Sequence, residues 1–172
     1  MRRSIPILAL LLALPAWGEK ADRGKPTQIE ANRMSADDAK GMTIFEGNVV
    51  LTKGTVAVRA ERIVVRQDAE GYHLTSATGS PVRFKQKQDP KEGEKEGRWM
   101  DGEAQRIEID DRKQTIELFD NARVNRGGDE VAGNYIFVDQ RSEFYSVSAG
   151  KGAPQGRVRA TIQPKAPDDA KK

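Results

Sequence analysis

The 172-residue chain has no cysteine and only one histidine, His73. That excludes a disulfide framework and thiolate chemistry, and leaves nothing from which to build a His-rich metal site or a conventional nucleophile–base pair. Aromatic residues are scarce at 6%, and Arg59, Arg62, Arg66, Arg83 and Arg123 are spread along the chain without interleaved rings. A stacking platform for nucleic acid is therefore unsupported, and most of those arginines read as solvated, a minority being expected to approach an anionic head group. Charge of one sign is not in excess: 29 basic and 26 acidic residues give +3, which falls to +1 once Arg2 and Arg3 are set aside as part of a leader, so no nucleic-acid partner is expected. The one long apolar run, Ile5 to Leu14, is shorter than the roughly 20 residues that span a bilayer.

What that run does resemble is the apolar centre of a secretory leader. Arg2-Arg3 precede it and Pro15 with Ala16-Trp17-Gly18 follow it, so residues 1–18 are expected to be a signal peptide, with ordinary unfolded export. No cysteine follows for a lipid anchor. About 150 residues then remain, enough for one domain with a real core. Residues 19–25 are polar and expected to be mobile, residues 26–163 form the domain, and residues 164–172, with Pro164, Pro167 and Lys171-Lys172, are expected to be a disordered tail.

Within the domain the chain matches itself. Glu30–Gln67 lies over Glu103–Gln140 at a constant step of 73 residues without a gap, with identities that include Glu30/Glu103, Arg33/Arg106, Asp37/Asp110, Asp38/Asp111, Lys40/Lys113, Asn48/Asn121, Gly54/Gly127, Ile63/Ile136 and Gln67/Gln140. A unit of that size, repeated, buries its apolar face against its copy and offers an extended surface in place of one enclosed catalytic pocket.

The apolar residues alternate. Phe45, Val49 and Leu51, then Val56, Val58 and Ala60, then Ile63 and Val65, then Ile107 and Ile109 recur at even spacing, the signature of half-buried strands. Lys53-Gly54 and Gly127-Gly128 occupy one repeat position and predict hairpin turns of positive φ. Asp37-Asp38-Ala39-Lys40 and Asp110-Asp111-Arg112-Lys113 predict matching turns, which account for the acidic pairs without a metal. Gln86 to Gly97, with Asp89-Pro90 and alternating Lys and Glu, reads as an exposed flexible loop joining the copies. Phe45, Phe84, Leu118, Phe119, Phe137 and Phe144 are assigned to the core, and His73 to an exposed strand. The class this defines is all-β, a meander, sandwich or jelly roll. Open edges are expected at Thr27 to Met34 and Arg157 to Ile162, where head-to-tail addition of copies would give a filament.

Several stretches resemble the OstA-like family of periplasmic lipopolysaccharide-transport proteins over nearly all of residues 26–164. They are Pro26-Thr27-Gln28-Ile29-Glu30-Ala31, Phe45 to Thr55 with its Gly47-Asn48-Val49 element, Ala60 to Val65, Gly79 to Phe84, and Gly102-Glu103-Ala104. The resemblance implies a twisted, open-ended β-jelly roll whose interior carries the acyl chains of lipopolysaccharide between the membranes. It also implies edge-to-edge joining with further copies, with an LptC-like inner-membrane protein and with the N-terminal domain of an LptD-like outer-membrane protein. The family's interior positions fall on Thr27, Ile29, Phe84, Ile107 and Ile109, beyond which this chain has Asp111. Combined with the alternation, the expected lipid-binding residues are Thr27, Ile29, Phe45, Val49, Val58, Phe84, Ile107, Ile109 and Leu118, with no catalytic residue, no metal and no cofactor. Competing readings are an LptC-like periplasmic segment, a secreted structural or carbohydrate-binding repeat protein and, last, an enzyme.

Overall fold

The structure is a computed structural model that describes residues 21–22, 24–90, 95–142, 144–149 and 156–164. The expected signal peptide and residues 165–172 of the expected tail lie outside the described residues. Ten strands follow in chain order: β1 (Gln28–Glu30), β2 (Arg33–Asp37), β3 (Met42–Lys53), β4 (Val56–Gln67), β5 (His73–Lys87), β6 (Trp99–Asp110), β7 (Thr115–Arg126), β8 (Asp129–Asp139), β9 (Phe144–Ser148) and β10 (Arg159–Thr161). All belong to one antiparallel sheet in the order β1-β3-β4-β5-β6-β7-β8-β10, with β2 beside β1 on β3 and β9 beside β10 on β8.

Every pair of long strands carries a register shift near its middle: Glu46/Val49, Arg59/Arg62, Thr78/Val82, Glu103/Arg106 and Phe119/Ala122. An extra residue in one strand bends it and sharpens its twist. Aligned across the sheet, these bulges form a crease. The residues that make them have the required freedom: Gly47 and Asn48 sit at φ +80° and +49°, and Asp120 and Asn121 at +63° and +53°.

The crease folds the sheet over on itself. Lys53 ends β3 on one side of it and Asp111 follows β6 on the other, positions about 40 Å apart in a flat sheet of these strand lengths. In the structure their charged groups lie 4.0 Å apart, and Gln140 Nε2 likewise donates to Gln86 Oε1 at 3.3 Å. Two layers result, joined along the crease and touching again along a polar seam, which is the open-ended jelly roll. Between them lies a core that includes Val49, Val58, Ile63, Val82, Ile107, Leu118 and Ile136. Gly102 admits the Phe84 ring, whose Cε1 would stand 2.5 Å from a Cβ there.

Several expectations are corrected. Gln86 and Lys87 are not loop: β5 continues through Lys87 opposite Trp99, Gln88 N–H donates to the Arg98 carbonyl at 2.8 Å, and the Gln86 side chain is buried. Charge alternation there marks a half-buried strand end, not a break, while residues 91–94 lie outside the described residues. Phe119, Phe137 and Phe144 are not in the core. They stand on the outer face, one residue out of phase with Leu118 and Ile136, and Phe144 is exposed. Asp22, within the segment expected to be mobile, is buried at 4% exposure and accepts from the Thr55 backbone N–H at 2.8 Å.

Candidate functional site

The folded sheet leaves an interior cavity of about 380 Å³ toward the β1/β2 end, inside the range of roughly 300–1,000 Å³ typical of ligand pockets. Alternation supplies its walls, because the side chains that point away from solvent in both layers point at each other. Thr27, Ile29, Phe45, Val58, Phe84 and Ile109, six of the nine residues expected from sequence, line it. Val49, Ile107 and Leu118 do not. They are essentially fully buried farther along the same interior, where the two layers interlock.

Other wall residues were missed. Leu51, Val56 and Val65 were legible, since each continues an alternating run already chosen, and Met34, Thr43, Thr75 and Ile116 line it as well. A polar group was also missed, although Lys53, Gln86 and Asp111 continue the alternating runs of Leu51, Phe84 and Ile109. Asp22, Lys53, His73, Gln86, Asp111 and Gln140 also border the cavity, drawn together from five separate segments, His73 and Gln86 being at the two ends of β5, when the sheet closes along its seam. Local sequence carries no signal for that convergence.

The cavity is therefore two-faced, apolar toward the crease and polar toward the seam. Asp22 bridges to the β3–β4 turn through Thr55, whose Oγ1 in turn accepts from the Lys87 N–H at 3.0 Å. Asp111 faces both Lys53 Nζ, at 4.0 Å, and His73 Nδ1, at 3.6 Å, while its own N–H donates to the His73 carbonyl at 3.0 Å. His73 is thus exposed, as expected, and stands on the cavity rim. Among the described residues no group of three or more His, Cys, Asp or Glu side chains has the arrangement to hold a metal ion.

An open-ended sheet wrapped around an apolar interior, with strand edges at both ends that are unpaired among the described residues, has the form of a binding scaffold for elongated apolar ligands. Residues 28–144 match the family model described as LptA/(LptD N-terminal domain) LPS transport protein, and the chain belongs to that family. It is 26% identical over 161 residues to the lipopolysaccharide export system protein LptA of Escherichia coli K12, a match covering 91% of this chain and 83% of that one. With LptH of Pseudomonas aeruginosa the identity is 25% over 162 residues, covering 91% and 87%, and with Haemophilus influenzae LptA 26% over 165 residues, covering 94% and 91%. The crystal structure of P. aeruginosa LptH, described as the periplasmic component of the conserved lipopolysaccharide transport device, shares the fold with a TM-score of 0.74 at 24% identity, over 83% of this chain and 99% of that one.

Proposed function

We propose that this chain is a periplasmic carrier that binds lipopolysaccharide through its lipid A acyl chains and passes it from inner toward outer membrane. The observation that carries this reading is an apolar cavity inside an open-ended sheet of this transport family. Each methylene buried contributes about 0.8 kcal/mol, so a chain of roughly a dozen would expose about 10 kcal/mol of apolar surface in water. A continuous apolar interior avoids that exposure. The acyl chains lie against Thr27, Ile29, Phe45, Val58, Phe84 and Ile109, and extend past Val49, Ile107 and Leu118 if the layers part.

The edges supply the continuity that a relay needs. β2 exposes Met34 at one end, while β9 exposes Phe144 and Tyr145 at the other, with Ile162 just beyond β10. Unpaired strands of this kind add further strands. On this reading head-to-tail copies, an LptC-like protein at one membrane and an LptD-like N-terminal domain at the other extend one sheet and one trough. A photo-crosslinking residue at Phe84 or Ile109 is expected to capture lipopolysaccharide, in competition with unlabelled lipid. Capture only from the opposite-facing Ile44 or Glu108 would overturn the assignment of the interior.

A further inference from the structure

We propose that Lys53, on the seam side of the cavity, is the subsite for an anionic head group, such as a phosphate monoester, of an amphiphile whose apolar part lies in the cavity, and that Asp111 holds this subsite when it is empty. The inference rests on the carrier reading above and adds to it a polar contact with a sign of charge.

The Lys53 ammonium borders the cavity and carries three donors. Its ion-pair partner Asp111 Oδ2 stands 4.0 Å away, beyond hydrogen-bond reach, and among the described residues no acceptor is bonded to Nζ. The same carboxylate oxygen faces His73 Nδ1 at 3.6 Å, again outside hydrogen-bond distance. One carboxylate oxygen thus spans two nitrogens and bonds neither. Asp22, the other acid on the rim, is committed to Thr55. An anionic oxygen of a ligand entering along the seam can approach Lys53 directly and make the short charge-assisted bond that Asp111 does not.

The duplication supplies independent support. Asp38 is the repeat equivalent of Asp111 and is exposed on a turn that faces solvent. Gln67 is the equivalent of Gln140, and its side chain bonds its own turn, Nε2 donating to the Gly71 carbonyl. In the second copy both residues instead close on the cavity rim. The Asp37 and Asp110 turns share one bond, accepted from the N–H three residues on at Lys40 or Lys113, so the rim contact of Asp111 is not required by its turn.

The test is displacement of the neutral reporter N-phenyl-1-naphthylamine from the full mature chain by dodecyl phosphate, by dodecanol and by inorganic phosphate. Lys53→Gln is expected to weaken dodecyl phosphate about tenfold and dodecanol less than about twofold, Lys53→Arg to restore most of the loss, and Asp111→Asn to strengthen dodecyl phosphate several-fold. Equal losses for phosphate ester and alcohol, or no loss for either, would overturn the head-group subsite while leaving the apolar cavity and the carrier reading intact. Inorganic phosphate that protects the Lys53-dependent signal as well as the ester does would overturn the amphiphile in favour of a free-anion site. A wild-type chain that releases the reporter to none of the three would sink both proposals.

Discussion

The two copies of the duplicated unit have the same local structure and opposite situations. β7 reproduces β3 and β8 reproduces β4 at the 73-residue step, with the bulge at Glu46/Val49 repeated at Phe119/Ala122 and the hairpin residues Gly54 and Gly127 at φ +60° and +59°. The strand before them differs. In the second copy it is the continuous β6, and in the first it is broken at Ala31-Asn32 into β1 and β2. β6 has a neighbour on each side, whereas among the described residues β1 and β2 have β3 alone. Position in the sheet, not the repeat's own sequence, decides whether a residue becomes core or edge. Met34 and Ile107 show it most sharply, as equivalents that are 61% and 0% exposed.

Breaking that contrast gives the largest expected effect. Ile107→Ala should cost about 3 kcal/mol in urea denaturation, from lost burial and the cavity left behind, while Met34→Ala should stay within about 0.5 kcal/mol. Similar costs at both sites would mean that the monomer's edge strand is packed like an interior one. The hairpin glycines come next. Both are left-handed, so alanine costs roughly 1 kcal/mol at each, but a Cβ on Gly54 would stand 1.9 Å from Asp22 Oδ1, whereas one on Gly127 meets only the flexible Arg98 side chain at 2.9 Å. Gly54→Ala should therefore be the costlier by about 1 kcal/mol, the typical worth of the Asp22–Thr55 hydrogen bond it displaces. Equal costs would show that the Asp22 contact contributes nothing.

How much of this was legible follows from which interactions are local. Period-2 alternation identified the strands and the face carrying Val49, Val58, Ile107 and Leu118, and the paired Gly54/Gly127 and Asp37/Asp110 signals located the turns. The phase of a strand is less secure, because each bulge at the crease can shift the inward-facing set by one residue. On β4 that set changes from Val56 and Val58 to Ile63 and Val65, and on β6 from Met100 and Ala104 to Ile107 and Ile109. Phe119 and Phe137 were misplaced by hydrophobicity alone, although they are out of phase with Leu118 and Ile136. The seam was illegible because Lys53, Gln86, Asp111 and Gln140 meet only after a flat sheet has folded, and no spacing along the chain encodes that meeting.

The matching turns sharpen the comparison by titration. Asp110 Oδ1 accepts from the Lys113 N–H at 2.9 Å, and Asp37 Oδ1 from Lys40 at 3.2 Å. Burial pushes the Asp110 carboxyl up, but the Lys113 N–H and ammonium and the Arg112 N–H outweigh it and hold the group below its usual range. A depressed carboxyl stabilises the fold above its unfolded pKa, near 3.9, and that contribution is lost as pH falls through the folded value. Asp110→Ala should cost about 1 kcal/mol at neutral pH, with the gap from wild type closing below about pH 4. A gap that persisted into acid would assign the effect to packing instead.

The smallest effect separates the copies by kind of interaction. At one cross-strand position the first copy places Glu46 opposite Arg62, with 3.3 Å between charged atoms, and the second places Phe119 opposite Tyr135, with ring centroids 5.2 Å apart and the Arg106 guanidinium 3.7 Å above the Phe119 ring. Double-mutant cycles should give the exposed ion pair about 0.5 kcal/mol, fading in high salt, and the aromatic pair about 1 kcal/mol with little salt dependence. Tyr135 adds a second signature. Burial first, then its 2.6 Å hydrogen bond to Glu117 and the charges of Glu117 and Glu108, push its hydroxyl up to about 12. A raised folded pKa means that this stabilisation is complete below about pH 10, the unfolded value, and is lost as pH climbs from there through the folded one. Tyr135→Phe should flatten the alkaline arm of the stability curve, whereas Arg62→Gln should leave it unchanged; the same alkaline slope in both variants would place the titrating group outside this pair and remove the hydroxyl as a difference between the copies.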